Sequence, residues 1–319
     1  MQGKEEERKK KEQMKTNNLT IFTPTYNRES LLPRLYESLK RQTNKNFVWL
    51  VIDDGSTDNT EEVIKNWQDN EKEFDIEYYK KENGGKNTAI DFSNQVCTTE
   101  YIVCIDSDDY LTDSAVDDMY EDIKNVKNQT DVCGVVTRKA SYAGVAFQYK
   151  WVDEDYKKIY FDELAKNYGY SADACLLFKT DIIKQFHFPK FEGEKFVTEC
   201  VFYNQFINDY YMVASPKIYY LAEYQPDGYT VQGMKLFFKN PRGYLYFAKQ
   251  KLYYAIKKKH LFKEKVVCAT RYYAWKKFNK INDDYPNDYP IPTLYKVIGT
   301  MLSPIMIMRY KKKFIEMQK

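Results

Sequence analysis

The chain has 319 residues and a formal net charge of +3, and 43% of its residues are hydrophobic while 30% are charged. Such a composition is typical of a folded soluble protein that buries a sizeable core. The six cysteines include no Cys-x-x-Cys pair and there are two histidines, which leaves little material for a zinc site or a Ser-His-Asp triad and favours reduced thiols. No apolar run reaches the roughly 20 residues that span a bilayer.

The N-terminal segment, residues 1–17, lacks the apolar core of a signal peptide. It contains six Lys or Arg and four Glu, so we expect a charged extension that is disordered or helical. Charge divides the rest of the chain, because residues 18–235 carry a net charge of −13 and residues 236–319 carry +14. This change predicts a main domain over 18–235 and a separate basic region over 236–319.

Strands alternate with helices from residue 18 onward. In chain order, the predicted elements are the strand LTIFTPTY, the helix RESLLPRLYESLKRQ, the strand FVWLVIDDGS, the helix TDNTEEVIKNW, the strand FDIEYYKKE, the helix GGKNTAIDFSNQV and the strand YIVCID. The first strand is expected to break at Pro24, and the second is the nearly continuous apolar run of a strand buried on both faces. This alternation predicts an α/β fold with a Rossmann-like, mostly parallel doubly wound sheet.

Polar and acidic residues follow three of these predicted strands. The first strand ends in TPTYNR, the second in DDGS and the fourth in DSDD. In a doubly wound sheet, ligands bind at the carboxyl ends of the strands. Asp106, Asp108 and Asp109 crowd three carboxylates into four positions, an arrangement that like-charge repulsion disfavours unless a positive charge lies among them.

Four motifs together carry a resemblance to a known family. They are TPTYNR at 23–28, VIDDGSTDNT at 51–60, ENGGKNTAID at 82–91 and CIDSDDYL at 104–111. In this order and spacing they resemble the family 2 glycosyltransferases of the GT-A fold, of the bacterial cell-envelope and capsular polysaccharide type. A weaker likeness continues to about residue 235. The resemblance implies an inverting, metal-dependent enzyme that moves a sugar from a UDP-sugar onto a hydroxyl of a glycan or polyprenol-linked saccharide.

The resemblance also implies a role for the acidic cluster. Asp106-Ser107-Asp108 matches the family's Asp-X-Asp motif, so Asp108 is expected to bind Mn²⁺ or Mg²⁺ together with the donor diphosphate. Both are hard cations that take oxygen ligands and offset the charge of a diphosphate leaving group. Asp106 is then expected to contact the ribose or to orient the metal shell. From the residues alone, the alternative is a solvated turn that caps the next helix.

Donor binding is implied for residues of the other motifs. The implied donor-binding residues are Pro24, Tyr26, Arg28, Asp54, Asn83, Lys86 and Asp106. Tyr26 is expected to pack against the base, and Asp54 to accept a hydrogen bond from the uracil N–H. The alternative for Asp54 is the N-cap of the following helix, and the glycine-rich turn at 83–86 is, without the resemblance, only a turn into a helix.

An inverting transfer also needs a base for the acceptor hydroxyl. The family places a Glu-Asp pair further along the chain, and here the segment KFVTEC occupies that place. Thr198 stands at the Glu position and Glu199 at the Asp position, so the resemblance implies Glu199 as the base. Glu192 and Glu194 are rivals, with an exposed loop as their structural alternative.

The basic C-terminal region mixes aromatic, aliphatic and lysine residues at roughly helical spacing. We predict a small helical bundle there, with a peripheral contact to an anionic membrane as the second interpretation. No recognised nucleic-acid module accompanies the basic residues, so nucleic acid is not an expected partner. The expected location is the cytoplasm, and a membrane contact of this kind would be at the inner face of the membrane.

Two other classes of function are left open. A nucleotidyltransferase is a second α/β fold that uses carboxylates and a metal, but it normally shows a glycine-rich loop after the first strand, where this chain has TPTYNR. A catalytically silent relative that binds glycans or acts as a scaffold is the other class. Thr198 at the family's Glu position favours this class, whereas the intact metal and donor motifs argue against it.

Overall fold

The computed structural model describes residues 18–147, 150–169, 173–206, 209–223, 228–282 and 289–318. The chain divides into two compact units: a sheet unit of residues 1–187 and 205–225, and a helical unit of residues 188–204 and 226–319. The predicted N-terminal extension lies outside the described residues. The predicted domain boundary at 235/236 stays a prediction.

All ten strands among the described residues belong to the sheet unit. They are β1 (Leu19–Thr25), β2 (Val48–Asp53), β3 (Asp75–Lys80), β4 (Tyr101–Cys104), β5 (Tyr110–Leu111), β6 (Val132–Ala140), β7 (Lys157–Ile159), β8 (Ala174–Lys179), β9 (Tyr211–Ala214) and β10 (Tyr220–Leu221). Its helices are α1 (Leu32–Lys40), α2 (Thr60–Asn70), α3 (Lys86–Val96), α4 (Ala115–Val126), α5 (Phe161–Tyr168) and α6 (Thr180–Ile183). The sheet order is β3-β2-β1-β4-β8-β6-β10-β5, with β9 paired to β6 and β7.

The first four strands form the parallel half of the sheet. β1 pairs in parallel with β2 and β4, and β2 pairs in parallel with β3. Every residue of β1 and β2 is buried, as expected for central strands with both faces covered. The mostly parallel α/β sheet predicted from the strand–helix alternation is therefore confirmed.

The first strand passes through Pro24 instead of breaking there. β1 continues to Thr25, and Pro24 still pairs with Ile52 of β2. On its other side β1 pairs with β4 only as far as Phe22, so Pro24 lies beyond that ladder. A proline, which has no N–H to donate, is tolerated where no ladder hydrogen bond is required of it.

The second half of the sheet is mixed. β8 lies between β4 and β6 and is antiparallel to both. The strands approach so closely that a Cβ on Gly134 would stand 2.0 Å from the carbonyl oxygen of Leu177. Glycine at position 134 is therefore required for β6 and β8 to pair. This arrangement places β6 and β10 in the same sheet as β4.

Six helices among the described residues belong to the helical unit. They are α7 (Cys200–Tyr203), α8 (Tyr229–Gln232), α9 (Met234–Lys239), α10 (Pro241–Lys257), α11 (Phe262–Phe278) and α12 (Thr293–Glu316). Trp275 is fully buried in its core, with Tyr272, Tyr295 and Tyr310 nearby. A Cβ on Gly299 would stand 2.4 Å from Cδ2 of Tyr273, so α11 and α12 pack through a glycine contact. Among the described residues, no helix combines the length and apolarity needed to cross a membrane.

Candidate active site

The predicted site residues follow strands that end at one edge of the sheet unit. Thr25 at the end of β1 pairs with Asp53 at the end of β2, and Phe22 of β1 pairs with Cys104 at the end of β4. The carboxyl ends of parallel strands share an edge. Arg28, Asp54 and Asp108 therefore leave the sheet on the same side, in the segments that follow these strands.

Asp54 is a buried carboxylate that organises the glycine turn. Its Oδ1 accepts hydrogen bonds from the Gly84 N–H at 2.9 Å and from Lys81 Nζ at 2.6 Å, and its Oδ2 accepts one from the Gly85 N–H at 2.7 Å. Gly85 has φ +91°, a conformation that favours glycine. A carboxylate has about four lone-pair sites, so these three bonds leave room for one more donor on Oδ2.

Asp54 is not the cap of the following helix. The N-cap of α2 is Asn59, five positions further along the chain. The alternative interpretation of Asp54 as that N-cap is therefore wrong. Its predicted contact with uracil stays a prediction.

The glycine turn is joined to the acidic cluster by Lys86. Asn83 Nδ2 donates to the backbone oxygen of Asp54 at 2.8 Å, which holds the turn against the end of β2. At the first position of α3, Lys86 Nζ forms an ion pair with Asp106 Oδ1 at 2.6 Å. The structure thus brings together three of the predicted donor-binding residues, Asn83, Lys86 and Asp106.

The acidic loop after β4 is held from two directions. The hydroxyl of Tyr220 accepts a hydrogen bond from the Asp106 N–H at 2.9 Å and donates one to Asp109 Oδ2 at 2.8 Å. The hydroxyl of Tyr142 donates to the backbone oxygen of Asp108 at 2.6 Å. The loop does not cap α4, whose N-cap is Ser114. Its backbone is fixed while the side chain of Asp108 remains half-buried.

Two lysines distribute positive charge unevenly over the three carboxylates. Burial opposes ionisation of Asp106, but the charges of Lys86 and Lys139 hold the pKa of Asp106 below its ordinary value. Burial also opposes the charge of Lys139, yet Asp106 and Asp109 raise the pKa of Lys139. Lys139 Nζ lies 3.9 Å from the ring centroid of Tyr220, a cation–π contact.

The other two carboxylates are less well compensated. Burial and the charge of Asp106 raise the pKa of Asp109 to about 7. The same two causes, in the same order, raise the pKa of Asp108, although Arg28 and Lys86 act in the opposite direction. Asp108 is therefore the half-buried carboxylate of this cluster at which an added cation would relieve both burial and repulsion.

A divalent metal fits this arrangement if it is bound through few protein ligands. Among the described residues, no group of three or more His, Cys, Asp or Glu is placed to hold a metal ion. Mg²⁺ is commonly bound by one or two carboxylates together with substrate phosphates. Asp108, with its raised pKa and half-buried side chain, suits that mode, whereas Asp106 is already paired with Lys86.

The residues predicted at the end of β1 differ in exposure. Pro24 is buried within the strand, whereas the side chain of Tyr26 is 45% exposed. Arg28 is half-buried, and its N–H donates to Thr60 Oγ1 at 3.1 Å. An exposed aromatic ring next to a fixed turn is suited to stacking against a planar base.

The predicted base and its rivals lie in the helical unit. Glu199 precedes α7, and its Oε2 accepts a hydrogen bond from the hydroxyl of Tyr203 at 3.0 Å. Glu194 accepts hydrogen bonds from the N–H groups of Arg242 and Gly243, both at 2.8 Å, at the start of α10. Its nearly buried carboxylate thus satisfies the free amides of a helix terminus. Glu192 is exposed.

The segment YQPDGYT, which resembles the family's loop over the donor diphosphate, is only partly within the described chain. Its first residues, 224–227, and the side chain of Thr230 lie outside the described part. Tyr229 begins α8 and is exposed.

Sequence reasoning missed Lys139, Tyr142 and Tyr220. Lys139 is near the end of β6 and Tyr220 is in β10, and only the pairing of β10 with β6 brings them together. A lysine close to the end of an apolar strand is the one local signal that could have drawn attention to position 139. The chain has 30 tyrosines, and no local pattern distinguishes Tyr142 or Tyr220 from the rest.

Comparison with known proteins identifies the family. The family model for glycosyl transferase family 2 matches residues 20–186. Glycosyltransferase GlyA of Streptococcus pneumoniae is 30% identical over 145 residues, which cover 45% of this chain and 20% of GlyA. The GalNAc(5)-diNAcBac-PP-undecaprenol beta-1,3-glucosyltransferase of Campylobacter jejuni is 26% identical over 237 residues, covering 72% of this chain and 73% of that protein. For two further curated relatives, this chain spans only about a third of the relative's own length, 33% and 34%.

Solved structures agree on the fold. Residues 1–349 of S. aureus TarS, crystallised in complex with UDP-GlcNAc, superpose with a TM-score of 0.60 over 93% of this chain and 92% of that chain at 14% identity. This likeness shows a shared GT-A fold. The family model covers more than half of the chain and includes the whole acidic loop. The chain therefore belongs to glycosyl transferase family 2.

Proposed function

We propose that this chain is an inverting, metal-dependent glycosyltransferase that moves a sugar from a UDP-sugar to a hydroxyl of a cell-envelope or capsular glycan, or of a polyprenol-linked saccharide. Family membership supports glycosyl transfer. TarS, which shares the fold, was crystallised with UDP-GlcNAc. The Campylobacter jejuni relative is named for an undecaprenol-linked acceptor, which favours a cytoplasmic enzyme working close to the membrane.

The observation that carries the proposal is the fixed acidic loop beside Lys86. Asp106 is paired with Lys86, and the backbone of the loop is held by Tyr142 and Tyr220. A loop fixed in this way needs little reorganisation when a charged donor binds. The loop offers the carboxylate of Asp108 for a hard cation, and Lys86 of α3, in contact with Asp106, offers an ammonium group for a phosphate.

Donor recognition is assigned to the segments around this loop. Tyr26 would stack on the uracil, and Asp54 would accept the N–H of the base with the remaining acceptor site on Oδ2. Asn83 and Lys86 would face the ribose and diphosphate, with Arg28 near the phosphates and Pro24 shaping the pocket. The N-terminus of α3 at Lys86 carries the positive end of the helix dipole, which favours a phosphate.

The metal, Mn²⁺ or Mg²⁺, would be held by Asp108 and the donor diphosphate. When bound, it would supply positive charge for the diphosphate leaving group. Asp106 would orient the neighbouring ligands through its ion pair with Lys86.

Glu199 would act as the general base. The acceptor oxygen attacks the anomeric carbon, the bond from that carbon to the UDP oxygen breaks, and the hydroxyl proton passes to the carboxylate of Glu199. Attack from the face opposite UDP inverts the anomeric configuration. The hydrogen bond from Tyr203 would orient the carboxylate.

The test is UDP release and sugar transfer with a panel of UDP-sugars, with Mn²⁺ or with a chelator. We expect release with one donor, its loss on chelation, and at least a roughly hundredfold loss in Asp108→Ala. Asp69→Ala, which removes an exposed aspartate of α2, is the matched control and should retain wild-type rates. Glu199→Gln is expected to lower transfer to an acceptor by roughly 10²–10⁴-fold.

Four results would contradict the proposal. Release that survives both chelation and Asp108→Ala would remove the metal role, and a product with the anomeric configuration of the donor would exclude inversion. Pyrophosphate release instead of UDP release would favour a nucleotidyltransferase. Neither release nor a nucleotide-dependent thermal shift would favour a silent glycan-binding or scaffold protein.

A further inference from the structure

The outward face of α12 is apolar along most of the helix. Its inward face is buried against α11 through Tyr295, Gly299 and Tyr310. Exposed apolar side chains recur on the opposite face at spacings of three or four residues; this stripe comprises Leu294, Val297, Met301, Ile305, Met308 and, further on, Ile315. Met301 is 73% exposed and Met308 is 64% exposed. At 1.5 Å per residue, the stripe runs for roughly 32 Å.

The charges on α12 are almost all positive. Within Thr293–Glu316 the cations are Lys296, Arg309, Lys311, Lys312 and Lys313, and Glu316 at the end is the only acidic residue. Four of the cations lie between Met308 and Ile315, near the C-terminal end of the apolar stripe. A helix with one exposed apolar face and flanking cations has the pattern of a segment that lies in a membrane interface.

A lysine-lined cleft opens beside this face. It has a volume of about 390 Å³ and lies between the last part of α11 and the middle of α12. Lys276, Lys277 and Lys280 line it from α11 and the residues after it, and Thr300 and Ser303 line it from α12. Thr300 is the sequence neighbour of Met301, so the cleft borders the apolar stripe. The three ammonium groups and the hydroxyl of the exposed Thr300 are donors suited to a phosphate group; the hydroxyl of Ser303 already donates to the backbone oxygen of Thr300.

We propose that α12 binds the surface of an anionic membrane, with the apolar stripe at the boundary of headgroups and acyl chains and the lysine cleft on lipid phosphates. Leu261 and Phe262 add exposed apolar surface near the start of α12, where the ring of Phe262 lies 6.5 Å from that of Tyr295. A second copy of the chain fits this face less well, because Glu316 is the only acidic residue that its α12 would bring to the cations. An anionic bilayer complements both the apolar and the cationic groups.

This inference rests on the proposed function only for its biological purpose, access to a lipid-linked acceptor. Binding to vesicles needs neither a donor nor a metal. The two proposals can therefore fail separately. Wild-type protein that binds anionic vesicles but turns over no donor would leave this inference standing, and donor turnover without vesicle binding would leave the proposed function standing.

The experiment is sedimentation of the full chain with sucrose-loaded vesicles of phosphatidylcholine alone or with 30% phosphatidylglycerol. We expect at least tenfold stronger binding to the anionic vesicles, weakened by 0.5 M NaCl. The double variant Met301→Ser/Ile305→Ser should bind at least tenfold more weakly, and Met308→Ser should weaken binding in the same direction. The exposed apolar Val145 and Val231 provide the matched control, Val145→Ser/Val231→Ser, which should bind as the wild type does.

The lysine cleft is tested by Lys277→Gln/Lys280→Gln, which should weaken binding to anionic vesicles by roughly fivefold per lysine. Lys72→Gln/Lys124→Gln, at exposed positions of the sheet unit, is the control and should have no such effect. Equal binding to both kinds of vesicle, absent binding, or insensitivity to the stripe variants would overturn the proposal. Light scattering that finds an oligomer dissociated by Met301→Ser/Ile305→Ser would overturn it in favour of an interface between copies.

Discussion

Two adjacent tyrosines provide a sharp test of how the acidic loop is held. Tyr219 and Tyr220 are both essentially buried, at 0% and 1% exposure. The hydroxyl of Tyr220 bonds Asp106 and Asp109, whereas in the described part of the chain the hydroxyl of Tyr219 is buried without a hydrogen-bond partner. The same change, Tyr to Phe, should therefore have opposite consequences at these two positions.

The magnitude for Tyr220→Phe follows from the two lost bonds. The ring and its contact with Lys139 are kept, so the change removes only the oxygen. It leaves the Asp106 N–H and one oxygen of the buried Asp109 without a partner. A hydrogen bond to a charged group contributes about 1.5–3 kcal/mol, and an unsatisfied buried donor costs about 1–3 kcal/mol. We expect the free energy of unfolding to fall by about 2–4 kcal/mol.

Tyr219→Phe is the matched control, because it removes a buried hydroxyl that has no partner to lose. It should be neutral or stabilise the protein by up to about 1–2 kcal/mol. Urea denaturation followed by far-UV circular dichroism measures the free energy of unfolding of both variants. UDP release reports on the loop, and we expect this release to be lost only in Tyr220→Phe. Equal destabilisation by the two variants, or a cost below about 0.5 kcal/mol for Tyr220→Phe, would refute the reasoning.

Three further outcomes are expected. Burial raises the pKa of Asp122 to about 6, so between about pH 4 and 6 the folded protein retains a proton on Asp122 that the unfolded chain has released. This group alone makes the free energy of unfolding fall with rising pH by up to about 3 kcal/mol. Asp122→Asn should make the fall shallower by that amount, and the same pH dependence of stability in variant and wild type would contradict the expectation. Asp54→Asn places an amide donor against the N–H groups of the turn at 84–85. It should lower the free energy of unfolding by about 2–3 kcal/mol and weaken UDP binding measured by calorimetry. Unchanged stability would argue against the contacts described. Gly299→Ala adds a methyl group 2.4 Å from Cδ2 of Tyr273 and should cost about 1–3 kcal/mol in thermal unfolding, whereas Lys312→Ala on the exposed face should cost little.

The parallel half of the fold could be predicted from the sequence because its signals are local. Each central strand is a short apolar run, each connecting helix has its own periodicity, and the alternation of the two fixes a parallel sheet. The convergence of Arg28, Asp54 and Asp108 then followed without any structure, since parallel strands end at one edge. The strand boundary at Pro24 was the exception. Whether a proline ends a strand depends on how far its neighbours extend, and that is a tertiary property.

The second half of the sheet could not be predicted in this way. β8 is antiparallel to both of its neighbours, and β10 joins the sheet through two residues paired to β6 and β5. Strands of two residues carry no periodicity, and pairing between residues as far apart in sequence as Lys139 and Tyr220 leaves no local pattern. Lys139 and Tyr220 therefore entered the site only through the structure.

These two residues change how the acidic motif is interpreted. Asp-X-Asp presents two carboxylates that the sequence cannot tell apart by any local property. In the folded sheet unit, Lys86 and Lys139 lower the pKa of Asp106, while the pKa of Asp108 is raised. One carboxylate is thus neutralised by the protein, and the other keeps an excess of negative charge on a half-buried side chain. That asymmetry, set first by Lys86 of α3 and then by Lys139 of β6, is the physical reason to propose the metal at Asp108 and an orienting role for Asp106.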